Sequence, residues 1–273
     1  MSAAVGPFAV DSGMLAITAA SATSQDQTSA TVRIRNTNTN KIIHAKFAVV
    51  DGEAQAHGDF AIDGVAGSSA PVELRFIDPA GSRTGKLFPT GNLVDVIDSV
   101  PVTCIDAGNG RCFVGAAALG VDGSISPQQI DDHPTLKDQL ESIRRQAGVR
   151  MGLASREDEV PGSVPKISVV SAPTGTSLGL ANVVVRAMSV GQPHKAVPVT
   201  VALALTAAAK TDGTMVSACS VLSERDNRET VIAHASGTLK VAAVFDTEGK
   251  LSFATVFRTA RRLMEGRVFW KGV

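Results

Sequence analysis

Tyrosine is absent from this chain, tryptophan occurs once, and aromatics make up only 4% of its 273 residues. Nucleic-acid recognition draws on stacked aromatics and on a field of basic side chains. The second is missing too, because Lys+Arg and Asp+Glu number 26 each and the formal net charge is zero. Together these shortages set nucleic acid aside. Cysteine is scarce: Cys104, Cys112 and Cys219 are an odd number and form no CxxC pair. That argues against a disulfide framework and suits a reducing compartment. The five histidines are scattered, with no HxxxH or HExxH spacing to hold a metal. No secretory n-region and h-region occur, and no apolar run reaches the ~20 residues of a membrane span. A soluble, cytoplasmic protein without membrane contact is expected.

What the chain does have is one apolar run. Within the segment Met188 to Lys210, the stretch Ala196 to Ala209 is apolar on every face and broken only by Thr200 and Thr206. A surface helix would carry a one-sided stripe, so this helix is expected to be enclosed. Pro198 fits its first turn, where a missing N–H has no helical partner. The amino end then presents free N–H groups beside His194 and Lys195, a setting that attracts carboxylates or phosphates. A core helix with a polar cap is the plainer alternative.

Taken in order, Met1 to Leu15 reads as an apolar helix that Gly13 stops, with Gly6-Pro7 demanding tertiary support. Ala30–Arg35 and Ile42–Val50 read as strands around the turn Asn36–Asn40, and Val72–Phe76 as another. Gly81–Lys86 resembles a phosphate loop, but its glycine spacing is one short and Leu87 stands where Ser or Thr would meet Mg²⁺. A nucleotide site is rejected, and a loop offering N–H groups to another anion stays open. Val100–Ile105 and Cys112–Val114 read as strands joined by Asp106–Gly110, with both cysteines as packing residues. Pro134–Gly148 reads as a covering helix: Leu136, Leu140 and Ile143 share one face, while Lys137, Asp138, Glu141 and Arg144 form a solvated one. Lys166–Val170 and Val183–Ala187 are continuous apolar strands, expected to be buried on both sides. Beyond the enclosed helix come a charged turn at Glu224–Arg228, a strand pair over Thr230–Phe245 turning at Ala235–Gly237, a strand at Leu251–Phe257 and a last short strand ending at Trp270. The order of elements repeats: Met1–Leu15 echoes Lys195–Ala209, and each is followed by a hairpin with a polar turn. Two similar α/β units, each with a sheet wrapped round one helix, would bring both helix amino ends to a shared cleft.

The stretches MSAAVGPFA (1–9), NTNT (36–39), TGKLFPTGN (84–92), Met188-Ser189 through His194-Lys195-Ala196, HASG (234–237) and RTARRLMEG (258–266) run in order along nearly the whole chain. In that order they resemble the 2-methylaconitate cis–trans isomerase (PrpF) family. The resemblance implies an α/β (α+β) chain of the diaminopimelate epimerase-like fold, with two pseudo-symmetric lobes, each a mostly antiparallel sheet wrapped round a central helix. The first lobe would comprise residues 1–98 plus 258–273 and be incomplete, and the second 99–257. A strand at Arg267–Trp270 would return to the first.

The family isomerises small unsaturated polycarboxylates such as 2-methylaconitate, aconitate, methylitaconate or oxalomesaconate by moving an allylic proton, without cofactor or metal. Such chemistry needs a base for a weakly acidic proton and fixed dipoles for the dienolate-like charge. The resemblance places the family's cysteine, in an Asn-Cys-Gly-Asn stretch, its lysine and a Gly-rich anion loop upstream of the segment that begins here at Met1. No catalytic residue is therefore assigned. The HASG stretch departs from the commoner His-Pro-Ser-Gly and keeps Ser236 and Gly237. The implied carboxylate-binding residues are Thr84, Gly85, Lys86, Thr90, Gly91, Asn92, Asn109, Ser189, His194, Ser236 and Gly237. An isomerase of polycarboxylates is one expectation, and a shortened, catalytically impaired remnant that only binds such acids is the other. A small polycarboxylate is the expected partner, with a homodimer allowed.

Overall fold

The structure is a computed structural model that describes residues 2–15, 22–24, 27–222, 229–267 and 269–270. The charged turn expected at Glu224–Arg228 lies outside the described residues. Two compact units divide the chain, the first comprising Met1–Ile34, His44–Leu74 and Phe257–Val273, the second Arg35–Ile43 and Arg75–Val256. The architecture is mixed α+β, rich in strands and with few helices.

In the first unit, helix α1 (Ser2–Asp11) stops where Gly13 takes φ 69°. It is followed by β1 (Ala22–Ser24), β2 (Gln27–Asn36), β3 (Lys41–Val50), β4 (Glu53–Ala54), β5 (Phe60–Ala61), β6 (Ser68–Ser69) and β7 (Pro71–Ile77). The support that Gly6-Pro7 requires comes from β3. A Cβ on Gly6 would lie 2.7 Å from the Phe47 ring, so only glycine lets the helix approach that closely. Asp11 Oδ1 accepts the Ala54 N–H at 2.8 Å and ties the helix end to β4. The outer side of α1 stays open, with Val5 and Phe8 exposed. The tail clusters with this unit, yet among the described residues of the strand expected over Arg267–Trp270 none is in a strand. Residues 260–267 and 269–270 are irregular. Leu263, Met264, Phe269 and Trp270 stand in solvent.

The second unit holds β8 (Asp95–Ile97), β9 (Val100–Asp106), β10 (Gly110–Gly115), β11 (Lys166–Ser171), β12 (Val183–Ser189), β13 (Gln192–Pro193), β14 (Thr230–His234), β15 (Gly237–Phe245) and, as far as Val256, β16 (Leu251–Thr259). Their order across the sheet is β16-β15-β14-β12-β11-β10-β9-β8. Most pairs are antiparallel, but β10 with β11 and β12 with β14 run parallel. Parallel neighbours need a crossover, and both crossovers are helical. The first carries α2 (Pro127–Asp132) and α3 (Leu136–Arg150); the second carries α4 (Val199–Ala209) and α5 (Met215–Ala218).

Alternation along the strands sends successive side chains to opposite faces. Val102, Cys104, Cys112, Val114, Ile167 and Val169 join Leu136, Leu140, Ile143 and Ala147 of α3 in one apolar cluster. Arg111 points the other way and meets Thr200 of α4. The burial of β11 and β12 on both faces follows, and explains their largely apolar sequences; Arg186 within β12 is itself buried and donates to the Ser124 and Ile125 carbonyls. Helix α4 is buried along its whole length from Val201 to Ala209, where alanines keep it slim enough to be enclosed. Pro198 caps it at φ −64°, and the missing proline N–H costs nothing there.

One face of α3 corrects the sequence reading. Arg144, placed there among solvated charges, is 4% exposed. Its guanidinium grips Glu141 at 2.7 Å and the Pro161 carbonyl at 2.8 Å, so the loop after the helix folds over it. Helical periodicity cannot foresee a loop that returns to cover the polar side. Among the described residues no helix is long and apolar enough to cross a membrane. The three cysteines are free thiols.

Candidate functional site: the amino end of α4

Helix α4 is 11 residues long, and its first N–H groups open at Val199 and Thr200. Three segments of the second unit gather round that end. The β9–β10 turn lies against it: a Cβ on Gly108 (φ 80°) would come 3.6 Å from Leu203 Cδ1 and 3.8 Å from Thr200 Cγ2. Asn109, next in this turn, uses its Oδ1 to accept the Gly110 N–H at 3.0 Å. The β12–β13 hairpin brings up Ser189, paired with Gln192, and His194, whose N–H donates to the Ala187 carbonyl at 2.8 Å. The β14–β15 turn adds Ser236, whose hydroxyl donates to the Lys195 carbonyl at 3.1 Å and whose N–H donates to His234 Nδ1. Gly237 pairs with His234 in that turn at φ 134°. Asn109, His194, Ser236 and Gly237 thus belong to the segments around one helix end, whereas Ser189 lines a cleft against α3 with Lys137, Glu141 and Lys166.

The loop Gly81–Lys86 behaves differently. Arg83 and Thr84 give their N–H groups to Asp106 Oδ2 at 2.7 and 2.9 Å, the Thr84 hydroxyl donates to it at 3.0 Å, and Ser82 donates to Oδ1 at 2.7 Å. The anion this loop cradles is the chain's own carboxylate. The Gly81 N–H donates to the Asp106 carbonyl, and the Gly108 N–H donates to the Pro79 carbonyl. Through these bonds the loop buttresses the β9–β10 turn. Gly85 takes φ 82° and closes back on Gly81, while Lys86 is exposed. Thr90, Gly91 and Asn92 run elsewhere. The Asn92 side-chain amide donates to Asp95 Oδ1 at 2.9 Å, and the next residue, Leu93, packs by Gly213 beyond the carboxyl end of α4. Thr90 and Gly91 shape this second turn, with the Gly91 N–H on the Phe88 carbonyl.

Sequence reasoning missed three side chains that complete the site: Arg111, Lys166 and, as a functional group, Thr200. Arg111 is 1% exposed, and donates to Thr200 Oγ1 and to the Gly110 carbonyl. Its Nε has no partner. Burial pushes the guanidinium down to about 10, against the opposing pull of Asp106. Lys166 is the direct register partner of Arg111 across β10 and β11. Burial lowers its pKa, and the neighbouring Arg111 lowers it further. His194 is lowered by burial and then by Lys166 and Arg111, and its buried Nε2 is also without a partner. The signal was present but faint, since Arg111 and Lys166 each stand near the start of a largely apolar strand.

Arg111 stands at the amino end of α4 with Lys166 beside it in register, a pair of cations that favours an anion nearby. No thiol serves there. Cys104 and Cys112 lie in the cluster on the α3 face, and the hydrogen bond with Cys112, with burial, pushes the Cys104 thiol well up. Cys219 faces the Val170 carbonyl. Among the described residues no group of His, Cys, Asp and Glu has the arrangement of a metal site.

With that geometry in hand, comparison with known proteins is informative. The family model described as PrpF protein matches residues 1–271. The 3-methylitaconate isomerase of Eubacterium barkeri is 35% identical over 286 residues, covering 98% of this chain and 72% of its own length. The 2-methyl-aconitate isomerase of Shewanella oneidensis is 35% identical over 290 residues, covering 98% and 71%. The crystal structure of a methylitaconate-delta-isomerase superposes with a TM-score of 0.84 at 33% identity, over 97% of this chain and 70% of that one.

Proposed function

Because the chain belongs to the PrpF family, we propose that it isomerises small unsaturated di- or tricarboxylates of the 2-methylaconitate and aconitate type, by a cofactor-independent allylic proton shift or a cis–trans change. The observation that carries this reading is the charge balance at the amino end of α4. There Arg111 donates to Thr200 and has Lys166 as its register partner, two cations facing one carboxylate, Asp106, among the described residues. A proton shift beside a carboxylate develops negative charge on that carboxylate as the dienolate forms. Helix N–H groups and fixed cations aimed at that charge stabilise it without reorganising, which is the largest single contribution in many such reactions. The proton-transfer group itself is not assigned. The free thiols fit a reducing, cytoplasmic setting.

One observation favours a second reading, in which the chain binds polycarboxylates without turnover. Cys104 and Cys112 lie in the cluster on the α3 face and Cys219 faces the Val170 carbonyl, so no thiol is directed at the amino end of α4. Losing acid–base help costs about 10²–10⁴ in rate. The test is proton NMR of cis-aconitate and 2-methylaconitate in D₂O with this chain. The isomerase reading expects deuterium at the allylic carbon and appearance of the isomer. Neither exchange nor conversion, with calorimetric binding retained, leaves the second reading.

A further inference from the structure

We propose that Asn109 is a site of spontaneous covalent modification, at which the Gly110 nitrogen attacks the Asn109 side-chain amide and the product leaves a carboxylate in the β9–β10 turn. Among the asparagines of the chain, Asn109 alone is followed by glycine. The others precede Thr, Lys, Leu, Val or Arg, whose side chains crowd the approach of their own nitrogen. The fold holds the reacting groups of Asn109 and Gly110 together. The Gly110 N–H donates to Asn109 Oδ1 at 3.0 Å, so the nitrogen already lies beside the amide that it would attack. A turn of that amide about its Cβ–Cγ bond presents the carbon to the nitrogen, and such closeness is most of what a near-attack arrangement requires. Gly108, at φ 80°, and Gly110 flank the residue without side chains to hinder it. Asn109 is partly exposed, within reach of water and base. Packing also keeps the pair as it is: a Cβ on Gly110 would lie 3.0 Å from Met151 Cε and 3.4 Å from Val164 Cγ1, so a larger residue is crowded there.

The step balances with water and base alone. Base takes the Gly110 amide proton, the nitrogen bonds to Asn109 Cγ, and the Cγ–Nδ2 bond breaks with ammonia leaving. Water then opens the five-membered succinimide at either carbonyl. One opening gives aspartate, and the other gives isoaspartate, whose backbone is longer by a methylene. Either product adds a negative charge to a chain whose formal net charge is zero. That charge arises between Gly108, which lies against Thr200 and Leu203, and Arg111, which donates to Thr200. The first turn of a helix favours a negative charge nearby, so the fold accommodates the product instead of resisting it. Isoaspartate also lengthens the turn that the Gly110–Asp106 pair closes.

The test is to hold the whole chain for several weeks in mildly alkaline buffer at physiological temperature. An acidic species should accumulate on anion exchange, tandem mass spectrometry should place the change at Asn109, and a protein-isoaspartate methyltransferase should label it. Asn109→Gln, whose longer side chain would have to close a six-membered ring, and Asn109→Ser, which has no amide, should each lose both signals, with circular dichroism confirming that they fold. The same incubation in guanidinium chloride gives the rate for the unfolded chain. Modification of the folded chain no more than tenfold slower than that supports the proposal. A folded chain more than tenfold slower shows that the structure shields the pair, and overturns it. Change at the other asparagines instead, or aspartate without isoaspartate as direct hydrolysis would give, overturns it as well.

Discussion

Four hydrogen bonds converge on the Asp106 side chain, and they make a loop that reads as an anion site into a structural brace. Asp106→Ala should free the Arg83 and Thr84 amides, and each lost charge-assisted bond costs about 1.5–3 kcal/mol before relaxation. Hydrogen exchange at those two amides should accelerate. Gly81 is equally constrained: it sits at φ 62°, and a Cβ would lie 2.4 Å from the Gly85 carbonyl carbon. Gly81→Ala should destabilise by about 2–4 kcal/mol, read by urea unfolding. Glu141 titrates more simply. The Arg144 guanidinium, partly offset by burial and helped by Arg145, holds its carboxyl at about 2 instead of the ordinary 4.5. A depressed folded value means stability present above 4.5 and lost as pH falls from there through about 2. Glu141→Gln should flatten that part of the stability profile, measured by urea unfolding at successive pH values.

The two apolar helices look alike in sequence and differ in their surroundings. Leu203 of α4 is fully buried, whereas Phe8 of α1 is 57% exposed. Leu203→Ala should therefore cost about 2–5 kcal/mol. Phe8→Ala should stay within about 0.5 kcal/mol, as for surface positions. Equal losses at both sites in urea unfolding would contradict the difference in enclosure. Residue types foretold both helices and the enclosure of α4, but not which side of α1 stays exposed. An all-apolar segment says that it needs cover, and the number of strands that arrive to provide it is a property of the fold.

At the scale of the whole chain, 26 cationic and 26 acidic side chains cancel at pH 7. With no net charge to keep copies apart, and with Met264, Phe269 and Trp270 exposed in the tail, solubility should be lowest near neutrality. Light scattering across pH 5–9, a range chosen to span roughly two units either side of zero charge, should peak near the middle. The strand order was partly legible, since hairpins such as β2–β3 and β14–β15 announce themselves by alternating residues around polar turns. The tail was not, because a strand needs a partner that the local sequence does not name.

The sequence by itself determined the elements, the enclosed helix with its proline cap, and the order of motifs that marks the family, because periodicity, turn chemistry and motif order are local or linear properties. Only the tertiary structure decided that Asp106 fills the glycine loop, that Arg144 is covered, and that Arg111 meets Thr200 at the amino end of α4 with Lys166 beside it. Those residues lie far apart along the chain. It takes the parallel pairing of β10 with β11, closed through a helical crossover, to set them side by side.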